Sequence, residues 1–77
     1  MPRYFFHVHD GTDRPDSRGS VLPDFKSAHA EAIMTCGEML RDIDGDLPIG
    51  SEWRMDVADE TGRTILRLRF SQVLPPG

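Results

Sequence analysis

The segment EWRMDVADETGRTILRLRF, residues 52–70, narrows the possible folds more than any other part of the chain. On both sides of its DETG turn, apolar residues alternate with charged ones, which is the period of a strand with one buried face. Pairing Asp59 with Gly62 across the turn sets Met55 opposite Leu66 and puts both apolar sets on one face. The segment therefore predicts a β-hairpin, because a slip of one residue would set apolar side chains against arginines.

A first strand is predicted over residues 3–9, RYFFHVH, because these residue types favour extended structure. Alternation assigns three side chains to the core face: Tyr4, Phe6 and Val8. The opposite face then carries Arg3, Phe5, His7 and His9. The following TDRPDSRG is typical of a solvated loop. After it, Ser20 to Leu22 is expected to fold back beside the first strand.

An amphipathic helix is predicted to begin at Phe25. Pro23 holds the residue before it extended, and the Asp24 carboxylate can accept hydrogen bonds from free amides of the first turn. Gly45 is placed to end the helix in a left-handed conformation. At 100° per residue the apolar positions form one stripe: Phe25, Ala28, Ala32, Ile33, Cys36, Met39, Leu40 and Ile43.

The order of these elements predicts an α+β fold, in which one helix lies across one face of a three- to four-stranded, mainly antiparallel sheet. We expect a single domain over residues 1–77, with residues 72–77 as a loosely held tail. One helix covers one side only, so the other face of the sheet is expected to stay open. That open face should carry Phe5, His7, His9, Glu52, Arg54, Asp56, Ile65, Arg67 and Arg69.

Composition limits the classes of protein that fit. The net charge is −4, from 13 acidic and 9 basic residues, whereas a nucleic-acid-binding domain is commonly basic. The single cysteine excludes an intramolecular disulfide and agrees with a reducing compartment. With no signal-peptide pattern and no apolar run of membrane-spanning length, we expect a cytoplasmic protein. A chain of 77 residues has a small core, which favours a homodimer.

The motif HVHDG, at the end of the first strand, is the sharpest chemical signal. His7 and His9 point the same way from the strand, with their bases about 6.5–7 Å apart. A stable metal site needs a third and usually a fourth ligand, which Asp56 or Glu52 would supply only if the first strand lay beside the Trp53 strand. His7 and His9 are therefore metal candidates, but we favour an exposed strand end with no metal and no cofactor.

Two further motifs fail on geometry. His29 and Cys36 suggest a base and a thiolate, but seven residues span about 10.5 Å of helix rise, which is too far for a hydrogen bond. The stretch DIDGD at residues 42–46 suggests a calcium loop, yet its glycine and Trp53 occupy the wrong loop positions. We expect structural roles for His29 and Cys36, and a solvated helix end at DIDGD.

The hairpin arginines suggest a binding role. In the expected register Arg54 faces Arg67, and like charges directly opposite are unfavourable unless an anion lies between them. With Phe5, Ile65 and Arg69 on the same face, this surface could stack bases and hold phosphates, form a dimer interface, or remain solvated.

No enzyme is predicted and no catalytic residue is assigned. The chain has no glycine-rich phosphate loop, no H-E-x-x-H and no G-x-S-x-G, and a cleft of a few hundred Å³ is not expected at this size. We expect a small interaction module that self-associates or contacts a protein through the open sheet face. The alternative is a nucleic-acid-linked role that uses Arg54, Arg67 and Arg69.

Several spaced motifs carry a resemblance: MPRYFFHVHDG, G-x-x-LPD, HAEA, ADETGR and L-x-F-S. Together they resemble a family of short bacterial proteins of unknown function, over nearly the whole chain. The resemblance implies a free-standing small domain and no assigned chemistry. The chain also resembles HicB-type antitoxins, which run a strand through an acid and a glycine to a proline-led helix, but it lacks the extra strand that those antitoxins carry before the helix. That likeness adds an antitoxin-like form to the alternative.

Overall fold

The computed structural model of the chain describes residues 1–43 and 45–76. Its elements follow in chain order: β1 (Arg3–His9), β2 (Asp13–Arg14), β3 (Ser20–Val21), α1 (Phe25–Asp42), β4 (Glu52–Ala58) and β5 (Thr64–Ser71). The strands form one antiparallel sheet in the order β2, β1, β4, β5, with β3 also paired to β1. The predicted α+β fold is confirmed, and the two shortest strands bring the sheet to five strands.

The core forms where β1 lies beside β4. Phe6 is opposite Val57 and Val8 is opposite Met55, so the apolar face predicted for the first strand continues that of the hairpin. Helix α1 packs over β4 on this face. The buried cluster consists of Tyr4, Val8, Ala28, Ala32, Cys36, Trp53, Met55 and Val57.

The segment between β1 and α1 forms the outer edge of the sheet. Strand β2 pairs with the His9 end of β1, and β3 pairs with its Arg3 end. Between them the Asp16 carboxylate accepts hydrogen bonds from the backbone N–H of Phe6 at 3.1 Å and of Gly19 at 3.0 Å. The return of the chain at Ser20 was predicted correctly, but a loop without a strand was wrong at Asp13–Arg14.

The side chains of β4 lie on their predicted faces, but the pairing of β4 with β5 differs from the predicted register. Asp59 N–H donates to the Arg63 carbonyl at 2.9 Å, and Gly62 adopts φ +88°, which is the geometry of a three-residue loop. Met55 therefore lies opposite Leu68, two residues along from the predicted partner Leu66. A shift of two preserves the alternation, so every side chain of β4 stays on its expected face.

A register shift between Val57 and Ala58 places one extra residue, Ile65, in β5. Such a bulge can turn two successive side chains of a strand to the same side. Ile65 packs against the core cluster, as does Leu66. The prediction that Ile65 lies on the open face was wrong for this reason.

Helix α1 begins as predicted. The Asp24 side chain accepts from the Ser27 backbone N–H at 2.9 Å, a cap worth about 1 kcal/mol in helices generally. After the helix ends, Gly45 has φ +76°, as expected for a left-handed residue. The apolar stripe is narrower than predicted, because Phe25 is 47% exposed and Ile33 is 53% exposed.

Coverage by α1 stops short of the last strand. The core-side residues of β4, Trp53 and Met55, are almost wholly buried, whereas Leu66 and Leu68 of β5 are only half-buried. At the end of β5, Phe70 is 43% exposed. The helix thus lies over the middle of the sheet and leaves the apolar side of β5 partly uncovered.

Candidate interaction surface

The face of the sheet opposite α1 carries most of the predicted open-face side chains. His7 lies opposite Asp56, and His9 lies opposite Arg54. On the other side of β4, Asp56 lies opposite Arg67 and Arg54 lies opposite Arg69. The proximity of β1 and β4, on which a histidine and carboxylate cluster depended, is therefore present.

Asp56 is the centre of this face and is only 6% exposed. Arg67 donates to it through Nε at 2.6 Å and Nη2 at 3.3 Å. Arg54 Nε and His9 Nε2 lie 3.4 Å and 3.5 Å from Asp56 Oδ2. Burial alone would raise the pKa of the Asp56 carboxyl, but the hydrogen bond from Arg67 and the charge of Arg54 outweigh it and lower the pKa.

The remaining charges of the face are partly balanced. Arg54 and Arg69 are the like-charged pair that lies directly opposite, in place of the Arg54 and Arg67 pair expected from the sequence. Arg69 Nε lies 3.8 Å from Glu52 Oε1. Among the described residues, Arg54 Nε has no hydrogen-bond acceptor, although Asp56 is nearby. Two carboxylates thus offset much of the positive charge of the three arginines.

The two candidate metal histidines make separate contacts. His7 Nδ1 accepts from the Asp16 backbone N–H at 3.0 Å. His9 lies between two carboxylates, with Nδ1 2.5 Å from Asp13 and Nε2 on the side of Asp56. Because those carboxylates contact opposite edges of the ring, they do not converge on one ion. Within residues 1–43 and 45–76, no group of three or more histidine, cysteine, aspartate or glutamate side chains is placed to hold a metal.

The apolar residues expected to anchor a contact on this face are not freely available. The Phe5 ring stacks on His7, with centroids 6.3 Å apart, and lies against Gly19 of the edge segment. Ile65 faces the core instead. The open face is therefore a charged and largely self-paired surface.

An apolar surface that the sequence did not reveal lies on the β5 side of the molecule. Leu40 of α1 and Phe70 of β5 line a concavity of about 160 Å³, so this flank of the helix faces β5. Ile33 lies two turns before Leu40 on the same flank and is 53% exposed. We call Ile33, Leu66, Leu68 and Phe70 the β5 strip. The sequence indicated this surface only indirectly, because the apolar stripe of the helix is wider than packing against one part of a sheet requires.

A second concavity, of about 340 Å³, contradicts the expectation that the chain has no cleft of this size. It lies between the end of β1 and the end of α1, with Trp53 and Met39 in its wall. Asp10 and Arg14 line it and form an ion pair at 3.2 Å. The ionisable side chains in its described lining are those of Asp10, Arg14 and Asp42.

The other motifs do not form sites. Cys36 is buried, its Sγ lies 3.6 Å from the Met55 sulfur, and burial raises the pKa of its thiol. His29 is exposed and stacks on Phe25 with centroids 6.1 Å apart. In the stretch DIDGD, Asp44 lies outside the described residues.

Comparisons with known proteins place the chain in a family. In the described part of the chain, the helix is not long and apolar enough to cross a membrane. No curated protein and no solved structure matches the chain. Residues 3–71 match DUF6894, a domain of unknown function, and the chain belongs to that family.

Proposed function

We propose that this chain is a non-enzymatic contact module of the cytoplasm, which binds another polypeptide by adding it as a further strand to β5. The single observation that carries the proposal is the position of α1, which covers β4 and leaves the apolar side of β5 half-buried. The module then completes its sheet and its core with a segment from a partner.

The backbone of β5 supports strand addition. Strand β5 is eight residues long and is the last strand in the sheet order. In the part of the chain that the structure describes, no strand pairs with its outer edge. An edge strand presents alternate unpaired N–H and C=O groups, which an extended peptide can satisfy in the mode known as β-augmentation.

The β5 strip supplies the apolar part of the contact. A strand next to β5 would lie about 4.8 Å further out, below the flank of α1 that carries Ile33. Its core-side residues would cover Leu66, Leu68 and Phe70, which α1 leaves partly exposed. Burial of one large apolar side chain contributes about 1.5–3 kcal/mol, so a few such contacts offset part of the cost of association.

The two uses expected for the open face receive less support. Self-association as a homodimer through that face would desolvate Arg54, Arg69 and Glu52, while Phe5 is already engaged and Ile65 faces the core. Nucleic-acid binding is opposed by the net charge of −4 and by the carboxylates of Asp56 and Glu52, which lie among the arginines of this face and would repel a run of phosphates. Self-association remains an outcome that the sedimentation measurement described below detects.

The test uses an eight-residue peptide in which valine and glutamate alternate, matched to the eight residues of β5. We expect the peptide to bind the protein saturably in titration calorimetry. We expect this binding to be lost when every second amide of the peptide is N-methylated, because the methylated edge of the peptide can no longer donate hydrogen bonds to β5. Equal binding of the methylated peptide, or no binding of the parent peptide, contradicts strand addition.

A matched pair of variants locates the site. Ile33→Lys should weaken peptide binding about tenfold, the equivalent of about 1.4 kcal/mol. Met34→Lys is the control, because Met34 is also exposed, at 62%, but is turned about 100° around the helix from Ile33. Equal effects of the two substitutions would contradict the proposed position.

A further inference from the structure

We infer that the segment that adds to β5 belongs to a different protein and carries acidic side chains at every second position, with apolar side chains between them. This inference rests on the proposed strand addition and specifies its partner. It follows from what each side of β5 presents to a neighbouring strand.

The open-face side of β5 presents two arginines. The side chains of Arg67 and Arg69 are 44% and 58% exposed. Arg67 uses two of its five guanidinium N–H donors on Asp56, and Arg69 lies 3.8 Å from Glu52, so both retain donors. Residues directly opposite on an added strand would have their Cβ atoms about 4.5–5.5 Å away, where acidic side chains pair with arginine and basic ones are repelled.

The core side of β5 presents only apolar groups. Leu66, Leu68 and Phe70 alternate with the arginines, and Leu66 and Leu68 pack against the core cluster. Phe70 lines a concavity together with Leu40, and Ile33 lies two turns before Leu40 on the same flank of α1. Because successive side chains of a strand point to opposite faces, the same partner segment must be apolar at the positions between its acids. Acidic and apolar alternation is therefore the complementary pattern.

A second copy of this chain does not supply that pattern through its own β5. Antiparallel pairing that keeps the apolar side chains on one face and overlaps most of β5 sets Arg67 opposite Arg67 or Arg67 opposite Arg69. Like charges directly opposite destabilise a strand pair. The arginines thus protect this edge against self-pairing, a common role for charges on edge strands.

The attraction between the arginines of β5 and an acidic segment acts only at short range. The chain as a whole has a net charge of −4, so its overall field does not steer an acidic segment towards it. Selection of the partner therefore depends on contacts made within about one Debye length of Arg67 and Arg69, and should weaken as salt is raised.

The test compares three eight-residue peptides in which valine alternates with glutamate, glutamine or lysine. We expect the glutamate peptide to bind about tenfold more tightly than the glutamine peptide and the lysine peptide to bind most weakly. Arg69→Glu should reverse the order of the glutamate and lysine peptides. Arg41→Glu makes the same change of charge on α1 and should leave the order unchanged.

The outcomes separate this inference from the proposed function. Equal affinity of the glutamate and glutamine peptides overturns the acidic partner while strand addition stands. Binding of none of the three overturns strand addition itself. A dimer seen by sedimentation at tens of micromolar and abolished by Ile33→Lys identifies a second copy as the occupant, which also overturns the inference.

Discussion

Asp56 of β4 and Arg67 of β5 lie directly opposite each other, and the carboxylate accepts hydrogen bonds from Nε at 2.6 Å and Nη2 at 3.3 Å. Although α1 lies on the other face of the sheet, Asp56 is only 6% exposed, because Arg54, Arg67 and His9 surround it. This pair joins β5 to the rest of the sheet on the side opposite the core. The outer edge of β5 lies on the side of this strand away from Asp56.

Replacement of Asp56 should destabilise the folded protein. Asp56→Asn leaves Arg67 with a neutral partner and Arg54 without a nearby negative charge, so we expect the free energy of unfolding to fall by about 2 kcal/mol in urea titrations. Glu52→Gln removes the exposed partner of Arg69 at 3.8 Å and should cost less than about 0.5 kcal/mol. A similar cost for both would mean that burial of Asp56 adds nothing to the ion pair.

The stability of the protein should decrease in acid. The pKa of Asp56 is lowered, and the pKa of Asp16 is lowered as well: burial opposes that change, but hydrogen bonds from the backbone of Gly19 and Phe6 outweigh it. In each case the unfolded chain takes up its proton first, near pH 4, so stability is fully present above about pH 4 and is lost as pH falls through the folded-state pKa.

The pH dependence can be assigned by substitution. We expect urea midpoints measured between about pH 5 and pH 2 to change less steeply with pH in Asp56→Asn and in Asp16→Asn than in the unsubstituted protein. A slope unchanged in both variants would show that neither carboxylate differs between the folded and unfolded states.

Gly19 should tolerate no side chain. It has φ +69°, and a Cβ placed there would lie 2.7 Å from the Tyr4 carbonyl oxygen and 2.9 Å from the Phe5 ring. Gly19→Ala should therefore destabilise the protein by about 2 kcal/mol more than Gly11→Ala, the control. Gly11 also has a positive φ, +99°, but open space where its Cβ would be. Equal costs in calorimetric melting would contradict the close approach of the edge segment to β1.

Cys36 should be protected in the folded protein. It is buried beside Met55, and burial raises the pKa of its thiol, which disfavours the reactive thiolate. We expect Ellman's reagent to label native protein about a hundredfold more slowly than denatured protein, with the rate rising in Gly19→Ala as the opened population grows. Rapid labelling of the native protein would contradict the burial of Cys36 between α1 and the sheet.

The sequence predicted faces better than it predicted contacts between distant segments. Alternation determined which side chains of β1 and β4 face α1, and Asp24 marked the helix start. The register of β5 was missed by two residues, because a shift of two keeps the alternation and only the three-residue loop ending at Gly62 sets it. Periodicity carries no information on this choice.

Two other features depend on tertiary placement. The Asp16 carboxylate accepts a hydrogen bond from the Phe6 backbone N–H, in the place where a paired strand would accept it. Nothing in the local pattern TDRPDSRG indicates this contact. The exposure of Ile33 depends on where α1 lies across the sheet, because the same apolar stripe would be buried if the helix covered β5 as well as β4. Periodicity therefore indicated a wide apolar stripe on the helix, but not which part of that stripe stays exposed beside β5.

Amide hydrogen exchange of β5, measured with and without the alternating valine and glutamate peptide, is the decisive measurement for strand addition. We expect the outward-facing amides of Thr64–Ser71 to exchange more slowly when the peptide is bound, and the amides of the opposite edge at β2 and β3 to be unchanged. Protection confined to the open-face residues of β1, or unchanged exchange of β5 at saturating peptide, would contradict strand addition.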